Sequence, residues 1–412
     1  MLVFYNLGVR CYYFFIKLAS LFNNKARLFI SGRKNLLSEL KNAIGDNHSP
    51  ITWFHAASLG EFEQGLPVME AYKAMSPASK ILVTFFSPSG FEERKNHPTA
   101  DFTFYLPIDT PSNAKEFFDI VKPIKVFFIK YEYWFHYLNE AHRRSIPLYS
   151  VSALFTPSHI FFKSHGAFHR RMLGFFDHTF VQNDSSLQLL KSIGIEKASI
   201  SGDSRFDRVL KTIANPQQYQ SIERFKGDDL LMVIGSAWAS DMQVLNGFIN
   251  NSKGLKLIIA PHLIDEGSVQ KIYLGLEKRV HRYSESEHIP DNTEVLILDT
   301  MGMLSSVYQY GEFAYIGGAF GDGLHNILEA VAFGLPVVFG NEGLEKFPES
   351  ITLQELGGAF SVSTAAESSE ILTKLKGDSA FRGNASSICK KFIEDNRGAT
   401  EHIIGYLKAQ TK

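Results

Sequence analysis

Apolar runs of strand length alternate with helix-period segments along most of the chain, the pattern of an α/β protein with parallel sheets. In the first half, residues 51–57, 80–85, 125–129, 147–151 and 178–181 read as strands. They lie roughly 20 to 45 residues apart, which leaves room for crossover helices. The second half repeats the pattern at 230–234, 255–259, 294–298, 313–316 and 336–339. Between the halves, 214–221 and 225–229 are polar and rich in turn residues. The pattern therefore predicts a Rossmann-like domain over 23–213, a linker over 214–229, a second such domain over 230–390, and a helix over 391–412 that packs back toward the first domain. Doubly wound sheets bind ligands at the carboxyl ends of their strands, so two of them imply a two-substrate cleft between domains.

Residues 1–22 break the alternation: they are strongly apolar and rich in aromatics, yet interrupted by Arg10 and Lys17. A spanning helix wants about 20 apolar residues with few charges. A cleaved leader wants a small-residue cleavage site, which Phe22 to Lys25 does not supply. An interfacial helix fits better, one that buries Phe4, Tyr5, Tyr12, Phe14 and Phe15 in lipid while its two cations meet anionic head groups. A buried helix of the first domain is the alternative.

Composition adds mostly exclusions. The 42 basic and 43 acidic side chains balance, so no global field points to nucleic acid. Cys11 and Cys389 are too few for a disulfide framework or a cysteine metal site and suit a reducing compartment. No Asp-x-Asp, P-loop or His-Glu-x-x-His pattern occurs, and His55, His262 and His325 lie far apart in sequence, so no metal is implied.

Candidate chemistry gathers where strands end. The glycine-rich stretch from Gly317 to Gly323 follows a strand and runs toward a helix, offering free N–H groups and a helix N-terminus to a phosphate. Asn326 and Glu329 have the spacing of a capping box, worth about 1 kcal/mol, and Glu329 is equally placed to accept hydrogen bonds from a ribose. Ser58, Gly60 and Glu61 leave the first strand and enter a helix. A carboxylate there is stabilised in its charged form, which makes Glu61 a candidate base and Glu63 its competitor. Glu132 follows another strand and either lines the ligand site or pairs with Lys130. The basic aromatic segment 161–171 suits a lipid surface or a packed amphipathic helix. Arg205 and Arg208 suit an anionic ligand, or pair with Asp203 and Asp207.

Taken together, these stretches resemble the 3-deoxy-D-manno-octulosonic acid (Kdo) transferases of lipopolysaccharide synthesis, a family with the two-domain glycosyltransferase B fold. The likeness runs through His55 to Glu61, Ala260 and Pro261, Asp299 to Leu304, Gly317 to Phe320, His325 to Glu329, 332–336 and 345–347. Where the family often has Arg after the Ala-Pro pair this chain has His262, and where it often has Glu in the turn after Gly302 this chain has Met303. The resemblance implies an N-terminal acceptor domain and a C-terminal donor domain. It implies metal-independent, inverting transfer of Kdo from CMP-Kdo, a substrate rather than a cofactor, to a tetraacyl lipid A precursor at the cytoplasmic face of the inner membrane. Glu61 would be the base, and Pro261, His262, Gly302, Met303, Leu304, Asn326, Ile327, Leu328 and Glu329 would contact CMP. Ser58, Gly60, Glu132 and Arg205 would meet the acceptor or transition state. A UDP-sugar epimerase or transferase of the same fold, and a non-catalytic membrane-associated relative, are the alternatives.

Overall fold

The computed structural model describes residues 1–130, 132–286, 288–321 and 323–410. The chain forms two compact units, one of residues 1–208 with 397–412 and one of residues 209–396.

The first unit opens with three helices, α1 (Leu2–Ala19), α2 (Asn24–Ser31) and α3 (Leu36–Ile44). Its sheet comprises β1 (Ile51–Ala56), β2 (Lys80–Phe85), β3 (Phe102–Tyr105), β4 (Lys125–Ile129), β5 (Leu148–Ala153), β6 (His178–Val181) and β7 (Ala198–Ile200). The strands are all parallel, in the order β3-β2-β1-β4-β5-β6-β7. Alternation along the central β1 sends Trp53 to one face and Phe54 to the other, and both are fully buried. Trp53 packs among Phe117, Phe118, Phe128 and Tyr137. Phe54 stacks on Phe127 in the opposite core, which Ile403 and Leu407 of the last helix, Ala399–Ala409, help to close. Asp207 anchors that helix by accepting from the Gly398 and Thr400 amides.

The second unit's sheet is also parallel. Its strands are β8 (Leu230–Ala237), β9 (Leu255–Pro261), β10 (Val280–Arg282), β11 (Val295–Ile297), β12 (Phe313–Ile316), β13 (Val337–Gly340) and β14 (Ala359–Val362), in the order β10-β11-β9-β8-β12-β13-β14. In each unit the strand order reverses beside the first strand, at β1/β4 and at β8/β12, the switch points where ligands of such sheets bind.

Two segments differ from their sequence reading, and for a third, 161–171, one of two readings holds. Residues 214–229, expected as a turn-rich linker, contain a helix, Gln220–Lys226, whose Ile222 and Phe225 are buried. The segment 391–412 is not one helix, because Ser379–Asp395 runs across its start and Gly398, at φ 101°, turns the chain before Ala399. Residues 411 and 412 of that segment lie outside the described residues. The aromatics of 161–171 serve packing. Phe161 is buried, Arg170 donates to the Phe161 and Lys163 carbonyls, and Arg171 lies over the Phe135 and Phe175 rings.

No described helix is long and apolar enough to cross a membrane. Helix α1 contains no buried residue, and Phe4 and Phe15 are 72% and 65% exposed. Tyr5, expected on its lipid side, instead faces protein, while Tyr12 remains 46% exposed. Tyr12 stacks on Phe86, and the Tyr5 hydroxyl donates to Asp109 while accepting from the Phe135 amide. Burial raises the Asp109 carboxyl to about 6 against the charge-favouring hydrogen bonds from Tyr5 and the His136 and Tyr137 amides. The unfolded carboxyl titrates near ~4, so between these values the folded state holds more protons, and stability falls as pH rises through that window by on the order of 2–3 kcal/mol. Asp109→Asn is expected to flatten that slope in thermal melts between pH ~4 and ~7, because the side chain then has no charge to lose.

Candidate functional site

In the first unit the site lies where β1 ends. Ser58, in extended backbone, is the N-cap of the helix Leu59–Met75, labelled α4, and Glu61 sits in its first turn. The Ser58 hydroxyl donates to the Glu61 carboxylate. In a capping box the hydroxyl would accept from the backbone instead; here it orients an acid that remains partly exposed. Gly60 has a negative φ, and a Cβ added there would meet only the Ser58 Oγ, at 3.8 Å. Neither backbone nor packing requires glycine at this exposed position, so its smallness leaves room beside Glu61.

The two competing acids are otherwise engaged. Glu63 accepts from Arg94 Nε at 2.7 Å and pairs with Arg208, so two guanidiniums neutralise it. Glu132 ends a buried relay. Trp53 Nε1 donates to Thr84 Oγ1 (2.8 Å), whose own proton is then free for His55 Nδ1 (2.8 Å). His55 Nε2 faces Glu132 at 3.3 Å, and Trp134 Nε1 donates to the same carboxylate oxygen. His55 Nδ1 also lies 3.1 Å from the Thr84 carbonyl, so both ring nitrogens of His55 are engaged within the fold. Lys130, the ion-pair partner considered for Glu132, acts on Asp203. Against the upward push of burial, Arg205 first and Lys130 after it hold that carboxyl below its usual range. Arg205 donates through Nε to Asp203 at 2.8 Å, so its charge is matched within the protein. Tyr131, between Lys130 and Glu132, lies outside the described residues.

In the second unit the residues gather at the ends of β8, β9 and β12. A bulge between Ile234 and Ala237 ends β8, and Pro261 pairs with Ala237, so that the His262 amide donates to the Ala237 carbonyl at 2.9 Å. The exposed His262 ring stacks on Trp238 (4.5 Å) and on His325 (4.3 Å), and Trp238 Nε1 donates to His325 Nε2. The glycine loop is less open than its sequence suggests. The Gly317 amide donates to the Gly235 carbonyl, Gly318 to Asp241, Gly323 to the Gly318 carbonyl and His325 to the Gly317 carbonyl. Those four N–H groups are therefore not available to a phosphate. Glycine is required at 317 for another reason: a Cβ there would lie 2.3 Å from the Ser236 carbonyl and 2.5 Å from the Asp241 carboxylate. Gly317→Ala is expected to destabilise the protein by roughly 1–3 kcal/mol in thermal denaturation, as the loop is pushed off β8.

Asn326 and Glu329 interact, though not as the expected reciprocal cap. The Asn326 carbonyl oxygen accepts from the Leu328 amide and its Nδ2 donates to Glu329, ahead of a one-turn helix, Leu328–Ala332. Ile327 and Leu328 are core side chains, so only their backbone is available to a ligand. Met303 is likewise turned inward, with its carbonyl accepting from Ser306 and Val307 at the start of the short helix Leu304–Val307. Gly302 has φ 83°, a turn that favours glycine. Asp299 braces this turn by accepting from the Ser284 amide and hydroxyl and from Arg282. Gly302 and Met303 border a pocket of about 680 Å³ with Gln217, Tyr219, Arg224 and Tyr283. Among the described residues, no three His, Cys, Asp or Glu side chains are grouped to hold a metal ion.

Trp238 and Asp241 were not singled out by sequence reasoning. Both follow β8 at its carboxyl end, and Trp238 is one of only 3 tryptophans. An aromatic and an acid just after the first strand of a doubly wound domain were the available signal.

The family model described as 3-Deoxy-D-manno-octulosonic-acid transferase (kdotransferase) matches residues 31–208. A 3-deoxy-D-manno-octulosonic acid transferase of Haemophilus influenzae is 26% identical over 373 residues, 86% of each chain. One from Aquifex aeolicus is 27% identical over 345 residues, covering 82% of this chain and 87% of that one. Among solved structures, the UDP-GlcNAc 2-epimerase of Neisseria meningitidis bound to UDP-GlcNAc aligns with a TM-score of 0.63 at 16% identity, covering 87% of this chain and 99% of that one. MurG of Acinetobacter baumannii aligns with a TM-score of 0.57 at 12% identity, covering 88% and 99%. At such identities the two structures speak for the fold alone.

Proposed function

We infer that this chain, similar over most of its length to 3-deoxy-D-manno-octulosonic acid transferases and with the glycosyltransferase B fold, is a member of that family and moves Kdo from CMP-Kdo onto a lipid A precursor, with Glu61 as the general base. The observation that carries the assignment of the base is the contrast among three acids. Glu61 is oriented by a single hydroxyl, whereas Glu63 is clamped by two arginines and Glu132 is held by His55 and Trp134.

In this reading a Glu61 oxygen takes the proton of the acceptor's primary hydroxyl as the hydroxyl oxygen attacks the anomeric carbon. The bond from that carbon to the CMP phosphate oxygen breaks, and CMP leaves with the electron pair, so the anomeric configuration inverts. A departing monophosphate carries less charge than a diphosphate, and transfer proceeds without a divalent ion. Glu329 accepts from the ribose, and the backbone of Gly302 to Leu304 and of Asn326 to Leu328 lies against CMP. Pro261 closes one side, and His262, stacked on Trp238, offers a ring where the family often has a guanidinium. Ser58 and Gly60 border the acceptor hydroxyl, and Glu132 and Arg205 take supporting places near it.

The exposed apolar residues of α1, with Arg10 and Lys17, support membrane association at the cytoplasmic face of the inner membrane, where the acceptor lipid is met. The test is transfer from CMP-Kdo to the tetraacyl disaccharide bisphosphate, read by product mass. Mass gains in steps of one Kdo unit are expected; an inactive protein that still gains thermal protection from CMP would remove the proposed acceptor while leaving the donor.

A further inference from the structure

Behind α1 lies a pocket of about 420 Å³ lined by Arg10, Tyr13, Arg33, Asn35, Ser38 and Asn113, with Leu36, Leu37, Pro107 and Ile108 as its apolar wall. It belongs to none of the sites described above. Two of its walls carry guanidinium groups, and among the described residues neither meets a carboxylate. Arg33 donates from Nε to the Leu106 carbonyl (2.9 Å), from Nη1 to the Phe29 carbonyl (3.1 Å) and from Nη2 to the Phe86 carbonyl (2.7 Å), with its Cζ 3.7 Å from the centroid of the Phe29 ring. Carbonyls and rings orient the group but bring no full negative charge. Burial lowers Arg33 to about 10, which leaves it protonated at neutral pH. Arg10 is exposed on α1 at the same pocket.

Asn35, the N-cap of α3, also lines the pocket and makes no side-chain cap bond, and Glu39, the acid of that first turn, is not among the lining residues. Hydroxyl and amide groups of Tyr13, Ser38 and Asn113 supply polar contacts of the kind a phosphate oxygen accepts. The same helix that contributes Arg10 exposes Phe4, Leu7, Phe14, Phe15 and Leu18. A ligand with an anionic head joined to apolar chains matches both features: the head pairs with the two cations while the chains continue along the exposed apolar side chains.

We propose that this pocket is a headgroup site for an anionic glycerophospholipid of the bilayer, with Arg10 and Arg33 as the phosphate ligands. The proposal rests on the reading of α1 as a membrane-associating helix and adds a defined, saturable lipid site to it.

Binding of monomeric dihexanoylphosphatidylglycerol to the full chain, below its micellar concentration, tests the proposal by calorimetry, with dihexanoylphosphatidylcholine in parallel. Monomeric lipid presents no surface potential, so a cation outside the pocket has no effect on it. Wild type is expected to bind the anionic lipid saturably and at least ~10-fold more tightly than the zwitterionic one. Arg10→Gln and Ser38→Glu, both at exposed positions, are expected to weaken it ~10-fold, and Lys17→Gln to leave it unchanged. Equal affinity for the two lipids, or equal losses in all three variants, would overturn the site. So would competition by the bisphosphorylated acceptor, which would reassign the pocket to substrate. Vesicle flotation separates the two layers of the argument. Flotation without monomer binding keeps the membrane reading and removes the pocket, while failure of both removes the reading on which the pocket rests.

Discussion

Glu61→Gln is expected to lower the turnover of Kdo transfer by ~100-fold or more, the contribution of a positioned base, while CMP binding stays at the wild-type level. The substitution is conservative in shape: the glutamine carbonyl still accepts from the Ser58 hydroxyl, so the first turn of α4 keeps its geometry. On the proposed mechanism, what is lost is the oxygen that would take the proton. Calorimetry with CMP and thermal melts separate this loss from misfolding. A Glu61→Gln enzyme with near-normal turnover would move the base to Glu132, since Glu63 is already neutralised by Arg94 and Arg208.

Asp241→Ala is expected to be the more damaging change for the second unit. This carboxylate is fully buried and accepts from the Tyr315 hydroxyl, the Gly318 amide and the Trp238 amide. Its removal leaves three donors without their acceptor, a loss of about 3 kcal/mol or more. In a unit of this size that corresponds to a fall in melting temperature of roughly 6–12 °C. Because the same carboxylate ties the glycine loop to β8, protection by CMP is expected to weaken in parallel. Tyr315→Phe removes one of those donors, should cost only about 1 kcal/mol, and should be less than additive with Asp241→Ala. Full additivity in thermal melts would show that the two side chains do not act as a pair.

The physics of burial explains what was legible. The ten strands read from apolar runs are flanked within their sheets, and burial on both faces writes itself as a continuous run of Val, Ile, Leu and Phe. The four that went unread, β3, β7, β10 and β14, sit at or beside sheet edges. They are only three or four residues long and largely half-exposed, as in Ala198–Ile200. Such strands exist because a neighbour supplies hydrogen bonds, and that neighbour is distant in sequence. Residues 214–229 hid a helix for a related reason: two buried side chains, Ile222 and Phe225, set among polar residues, are too few to show a period.

Among the site residues the same division holds. The sequence by itself determined the α/β class, the repetition of the sheet pattern in two halves, the family resemblance, and the place of Glu61 in the first turn of a helix, because each is written in runs and motifs whose residues lie within a few positions of one another. Only the tertiary structure decided which partners each of the three acids meets. The arginines that neutralise Glu63 stand at 94 and 208, and the relay that holds Glu132 runs through His55, Thr84 and Trp53. It also decided that Tyr5 faces protein while Phe4 and Phe15 face outward, and that four N–H groups of the glycine loop are taken by the fold itself. Hydrogen bonds and ion pairs act over about 3 Å in space without regard to distance along the chain, so a single sequence names the acids and amides but not their partners.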